Sequence, residues 1–210
     1  MYPESINRKT KLVLEKIAGA KIKELKDFYL AGGTALAIQL GHRESIDLDW
    51  FSGKDFSLSL LKKKLSEIGR FSLTDESMGT INGVLDNVKV SFLKYGYKNI
   101  YPFKSFLGIK LADERDIAAM KIDAISSRGS KKDFVDIYFL LEKYRLGELI
   151  GYFEKKYKGI KYNKLHIIKS LAYFDDAESD PMPIMLKPVS WEKVKVRIKK
   201  EVFNLENITY

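Results

Sequence analysis

Asp47 and Asp49 stand two residues apart in a stretch where Ile46, Leu48 and Trp50 alternate with Asp47, Asp49 and Phe51. Period-two alternation predicts a strand over Ile46 to Phe51, and residues two apart on a strand face the same way. Their Cα atoms would lie roughly 6.5–7 Å apart. Two carboxylates so placed can share hard cations such as Mg²⁺. Two such ions about 3.5–4 Å apart can hold the attacking and leaving oxygens of a phosphoryl or nucleotidyl transfer. Upstream, the short apolar run Phe28 to Ala31 ends at Gly32-Gly33. Glycines let the backbone turn tightly and approach a ligand without a Cβ clash. The helix expected from Thr34 to Leu40 would offer free N–H groups to a phosphate, and Thr34 adds a hydroxyl. Each signal alone is ordinary, a turn or a solvated acidic face. In this strand–turn–helix–strand order they place a phosphate cradle beside a metal-binding pair. Arg43, four residues before Asp47, either binds a phosphate or pairs with Asp47.

A second set of polar residues lies downstream. On a helix, Lys121 has Ile117, Ala118, Ala124 and Ile125 three and four residues away, all apolar. Such a lysine either snorkels to solvent or points into a cleft at an anion. Ser130-x-x-Asp133 reads as a helix start of the capping-box kind. Alternatively, Asp133 and Asp136, beside Lys132, form a polar face carrying a base or a group that orients a metal. His42 reads as a loop residue and His166 as a helix-surface or core residue, and neither has metal-ligand spacing. A Walker P-loop, a Gly-x-Ser-x-Gly elbow and a Cys–His pair are all absent from the sequence.

The elements that must position these residues fall into two groups. Helical spacing appears over 5–26 and from Leu58 to Ile68. Strands are expected over Phe71 to Leu73, Thr80 to Leu85 and Val88 to Tyr95, with Asp86-Asn87 as a hairpin turn, and another short strand near Ile109. From Asp113 the pattern turns helical: Glu114 to Ser126, Ser130 to about Tyr144, then near 147–157 and 163–174. Asp175 to Pro188 reads as an exposed loop. Trp191, Val194, Ile198, Val202 and Leu205 recur at helical spacing, although Val194 to Ile198 also alternates as a strand would. The fold class is therefore α+β: a small mixed-sheet domain over 1–112, then a mainly helical region over 113–210. The chain of 210 residues is long enough to bury a core without staples. It has no cysteine, which excludes disulfides and thiolate metal sites and fits a reducing compartment such as the cytoplasm. We expect no signal peptide and no membrane span. A formal charge of +9 favours a polyanionic partner, or serves solubility alone.

The motifs together resemble a known family. Strand, Gly-Gly, helix and Asp-x-Asp is similar to the signature of DNA polymerase beta-like nucleotidyltransferases. The fuller strings Leu30-Ala-Gly-Gly-Thr-Ala-Leu36 and Gly41-His-Arg-Glu-Ser-Ile-Asp-Leu-Asp49 look like the AbiEii/AbiGii toxins within that superfamily. Asp116-Ile-Ala-Ala-Met-Lys121, Arg128, Lys132-Asp133 and Asp136 resemble that family's second motif set. The resemblance covers roughly residues 25–145. It implies an NTP-using, Mg²⁺-dependent toxin of a bacterial toxin–antitoxin pair, with tRNA as the leading acceptor and a cognate antitoxin as partner. Asp47 and Asp49 would hold the metal. Gly32, Gly33, Thr34, Arg43, Lys121, Arg128 and Lys132 would meet the nucleotide, with Asp133 and Asp136 completing the catalytic set and the helical region closing the cleft. One departure stands out. The superfamily often supplies a third carboxylate from a neighbouring strand, and here Val88 to Tyr95 offers Ser91, with Asp86 back in the turn. That leaves open a single-metal site, a base from elsewhere, or a catalytically silent module of the same fold that binds nucleic acid or a partner protein.

Overall fold

The structure, a computed structural model, describes residues 1–20 and 22–207, in two compact units that divide between Asp113 and Glu114. The first unit carries helices α1 (Arg8–Gly19), α2 (Gly32–Leu40) and α3 (Leu58–Ile68). Its strands are β1 (Phe28–Ala31), β2 (Leu48–Ser52), β3 (Phe71–Ser77), β4 (Thr80–Leu85), β5 (Val88–Lys94), β6 (Lys104–Phe106) and β7 (Ile109–Leu111). The helix expected over 5–26 is shorter. Asn7 caps α1 by accepting from the Thr10 amide, the helix ends at Gly19, a 3₁₀ turn occupies Lys23–Leu25, and residue 21 lies outside the described residues.

The seven strands make one mixed sheet in the order β3-β4-β5-β2-β1-β7-β6. β1 lies antiparallel to β2 and parallel to β7, while β2 lies parallel to β5. The turn between β4 and β5 has positive φ at both Asp86 (47°) and Asn87 (68°), the two-residue geometry that matches strand twist. The Asp86 carboxylate accepts from the Arg70 amide and pairs with Lys16 at 2.5 Å. It is thus a turn brace. The Lys16 hydrogen bond, and then that of Arg70, hold this carboxyl below its ordinary range.

One face of the sheet is packed by Leu48, Trp50, Ile81, Leu85, Val90 and Phe92, all buried. Val13 and Leu14 of α1 and Leu61 and Leu65 of α3 are buried with them. Trp50 stacks on Phe92 with ring centres 6.1 Å apart, and Phe28 meets Phe92 edge-on at 5.5 Å. Alternate residues of β2 therefore anchor the strand and leave Asp49 on the opposite face. α2 is buried at every residue from Thr34 to Leu40, as its unbroken apolar composition requires. It ends at Gly41, whose φ of 63° is left-handed.

The second unit is helical: α4 (Glu114–Arg128), α5 (Lys131–Leu140), α6 (Leu146–Lys156), α7 (Lys164–Leu171), α8 (Asp175–Glu178) and α9 (Trp191–Asn207). α4 packs against α5, α6 and α7. The alternating stretch Val194 to Ile198 is helical, with Val194 and Ile198 both fully buried one turn apart. The loop expected over 175–188 holds the short α8, and its Asp180 accepts from the Lys131 amide at the start of α5. No described helix is long and apolar enough to cross a membrane.

Candidate active site

The first half of the site is a backbone crossing. Ala31, the last residue of β1, is in register with Asp49 of β2, and the chain then turns through Gly32 into α2. Gly32 has a φ of 68°, and a Cβ there would lie 2.9 Å from Asp49 Oδ2. Glycine is needed twice over, for the left-handed conformation and for the space the carboxylate fills. A Cβ on Gly33 would lie 2.5 Å from Arg43 Nη2. The Gly-Gly step thus brings the start of a buried helix against the acid of the neighbouring strand. We expect Gly32→Ala to lower stability by about 1–3 kcal/mol, from backbone strain and displacement of Asp49. Thermal unfolding checks this, and an unchanged melting temperature would mean that the turn tolerates a side chain.

Asp47 sits differently from the expectation. The β2 ladder begins at Leu48, so Asp47 lies one residue ahead of it, and Ile46 is 51% exposed and not part of the core. The reason is that β1 has already turned away. The Ile46 carbonyl accepts from Thr10 Oγ1 at 3.2 Å, and the Asp47 carbonyl accepts a short hydrogen bond from Thr34 Oγ1. The Thr34 hydroxyl also meets Ser45 Oγ at 2.8 Å. Thr34 is therefore buried, and its hydroxyl holds the loop that carries Asp47. Arg43 is buried too, with Nη1 donating to the Glu44 carbonyl at 3.0 Å. Both carboxylates remain half-exposed, on either side of the fully buried Leu48.

Ser91 is in register with Asp49 on the adjoining strand β5, with Asn82 of β4 beyond it. The row across this face thus runs acid, hydroxyl, amide. Among the described residues, no group of three or more His, Asp or Glu side chains is arranged to hold a metal. The acids at this face are Asp47 and Asp49.

Within the second unit, polar residues form a cluster of their own. Lys121 is 6% exposed and does not snorkel. Its Nζ lies 2.7 Å from Asp133 Oδ1 and 2.6 Å from Asp136 Oδ2, so its ammonium faces two carboxylates. Ser130 donates to Asp133 Oδ2 at 2.5 Å and makes no side-chain cap, so the expected capping box is replaced by a hydrogen bond between side chains. Burial pushes the Asp133 carboxyl up, but the Lys121 charge and the hydrogen bonds from Lys121 and Ser130 outweigh it, and the net shift is downward. Arg128 and Lys132 are exposed. His42 is buried, whereas His166 lies on the surface with Nε2 3.2 Å from the Ser126 carbonyl.

Two buried lysines were not singled out from the sequence. Lys156 Nζ lies 2.8 Å from Asp116 Oδ1, with both side chains fully buried. Burial lowers the Lys156 pKa even against the hydrogen bond and charge of Asp116. Lys131 is 6% exposed and donates to the Glu178 and Asp180 carbonyls. No local pattern marks either, because their partners lie 40 or more residues away.

Comparison with known proteins places this geometry in context. Residues 20–204 match the family model described as nucleotidyl transferase AbiEii toxin, type IV TA system. An uncharacterized protein of Aquifex aeolicus (strain VF5), aq_aa25, is 39% identical over 203 residues, covering 94% of this chain and 96% of that one. Among solved structures, JHP933 from Helicobacter pylori has a TM-score of 0.54 at 18% identity, covering 97% of this chain and 96% of its own. The nucleotidyltransferase toxin MenT4 (Rv2826c) of Mycobacterium tuberculosis H37Rv has a TM-score of 0.55 at 13% identity, covering 93% and 84%. At these identities the two structures show a shared fold.

Proposed function

The chain belongs to the AbiEii family of nucleotidyltransferase toxins, and from that premise we propose that it moves a nucleotidyl group from an NTP to RNA, with tRNA as acceptor and Mg²⁺ as the required ion. Family membership makes it a nucleotidyltransferase of the toxin–antitoxin class, with an NTP as substrate and a cognate antitoxin as partner. The observation that carries the site assignment is the space at Gly32, where an added Cβ would lie 2.9 Å from Asp49 Oδ2. It sets the amides at the start of α2 beside an acidic pair.

Mg²⁺ is commonly held by one or two carboxylates, with water and substrate phosphates filling the rest of its octahedron. Asp47 and Asp49, half-exposed and without a third acid, suit that donor set. When bound, the ion would neutralise charge on the transferring phosphate. The chain's own part is positioning. Asp47 and Asp49 anchor the ion, the Gly32-Gly33 amides face phosphate oxygens, and Thr34 fixes the Asp47 backbone. In the second unit we assign phosphate contacts to the exposed Arg128 and Lys132. Lys121 is assigned the positioning of Asp133 and Asp136. The acceptor hydroxyl gives its proton to solvent as its oxygen bonds to the α-phosphorus, and the bond from that phosphorus to the α–β bridging oxygen breaks, releasing pyrophosphate.

Net positive charge draws in polyanions without selecting among them, so RNA binding alone is no test. Incubation with each labelled NTP, Mg²⁺ and total cellular RNA is expected to put label from one NTP on RNA in the tRNA size range, and chelation should abolish it. Label on protein alone, or on no acceptor with any NTP, would overturn the RNA reading.

A further inference from the structure

The face of the sheet turned away from Asp49 carries a feature that nucleotidyl transfer leaves unused. Between the end of α1, the 3₁₀ turn at Lys23–Leu25 and the strands β1, β2 and β7 lies a cavity of about 430 Å³. Its lining includes Ile17, Phe28, Trp50 and Ile109, all at least nine-tenths buried. Lys23, Lys26 and Lys110 line it as well, and all three are exposed. Burial thus grades from an apolar, aromatic floor to a mouth with three cations. No carboxylate is among the described residues that line it. The nearby Asp27 is paired with Lys54 at 3.1 Å, and Lys110 Nζ donates to the Lys26 carbonyl at 2.9 Å, which ties one side of the mouth to the other.

Trp50 is 3% exposed and contributes to this floor. A cavity of this size with an apolar, aromatic floor suits the apolar body of a small ligand, and cations at its mouth suit an acidic head.

We propose that this cavity binds a small anionic amphiphile, with an apolar body on the Phe28–Trp50–Ile109 floor and an acidic oxygen head within reach of the lysines. The apolar floor rejects a wholly polar anion such as acetate, because its burial would gain no hydrophobic contact. The cationic mouth disfavours a neutral chain relative to its carboxylate analogue. Asp49 and Trp50 are adjacent on β2 and point to opposite faces, so the cavity is separate from the acidic pair. The proposal does not depend on the transferase reading.

The chain contains two tryptophans, Trp50 and Trp191, so Trp191→Phe leaves Trp50 as the sole indole reporter. The full-length variant is titrated with decanoate, 1-decanol and acetate while indole fluorescence is recorded, and the stoichiometry is measured by calorimetry. We expect saturable one-site binding of decanoate, with 1-decanol weaker by about ten-fold, the worth of one modest charge interaction. Acetate should not bind. Lys23→Glu with Lys110→Glu should weaken decanoate by about ten-fold or more with the melting temperature nearly unchanged, since both residues are exposed. Ala18→Phe, which adds bulk at the lining, should block binding while Asp49→Asn leaves it intact. The proposal is overturned if decanoate produces no saturable change, which would mean that water alone fills the cavity. Equal binding of 1-decanol, indifference to charge reversal, or competition by ATP would overturn it as well.

Discussion

Asp49→Asn is expected to reduce nucleotidyl transfer by about 10³-fold or more, because a metal bound as proposed would stabilise transferring phosphate charge by several kcal/mol and would lose one of its two anionic anchors. The substitution keeps the size and shape of the side chain against Gly32, where a Cβ would already lie 2.9 Å from Oδ2. Folding should therefore change little, within about 1 kcal/mol, and relief of repulsion between the acids at 47 and 49 can raise stability. The check is label transfer at saturating NTP beside a melting curve and a salt-dependent RNA-binding assay. Lost label with RNA binding retained supports an ion-anchoring Asp49, because in the proposed reading lysines and arginines, not this acid, hold RNA. Undiminished label would remove Asp49 from the reaction. A collapsed melting temperature would show that the carboxylate supports the turn.

Lys156→Met should produce the largest loss of stability, about 3–5 kcal/mol, because it leaves the Asp116 carboxylate buried without its ammonium. Both side chains are fully buried, and their atoms lie 2.8 Å apart. Burial lowers the Lys156 pKa against the hydrogen bond and charge of Asp116. A second change, Asp116→Asn, removes the buried negative charge and should recover part of the loss. Chemical denaturation of the single and double variants measures both. If the double variant is no more stable than Lys156→Met, the penalty belongs to packing and not to charge.

The parts of this molecule that sequence reveals well are those written in local pattern. Leu58–Ile68 is a helix with the bounds its spacing gives, and Asp86-Asn87 is a two-residue turn because two adjacent small polar residues can take positive φ. The turn at Gly32-Gly33 was legible because a glycine pair between an apolar strand and an apolar helix ordinarily marks a turn. The misreadings share a cause, a partner distant in sequence. Alternation carried the strand back to Ile46, but the carbonyls at 46 and 47 are taken by Thr10 and Thr34 instead of a neighbouring strand. Lys121 is a different case: its apolar neighbours mark it as buried, and the carboxylates its ammonium faces, Asp133 and Asp136, belong to the next helix. Ser130-x-x-Asp133 has capping-box spacing, yet the carboxylate turns inward to Lys121 and takes the serine hydroxyl with it.

The order of the strands also sets a timetable for biosynthesis. Three neighbouring pairs, β3 with β4, β4 with β5 and β6 with β7, join segments close in sequence and can zip up as they leave the ribosome. The two parallel pairings cannot. β2 waits for β5, and β1 waits for β7, whose Leu111 meets Leu30 across 81 residues. Long loop closures of this kind come late because chain entropy is lost before contacts compensate. A nascent chain that has not yet delivered Leu111 has its Gly-Gly strand bare along one edge. The crossing of Gly32 over Asp49 belongs to the antiparallel β1–β2 pair, whose strands are joined through α2, so that turn can form early while the other edge of its strand waits for β7.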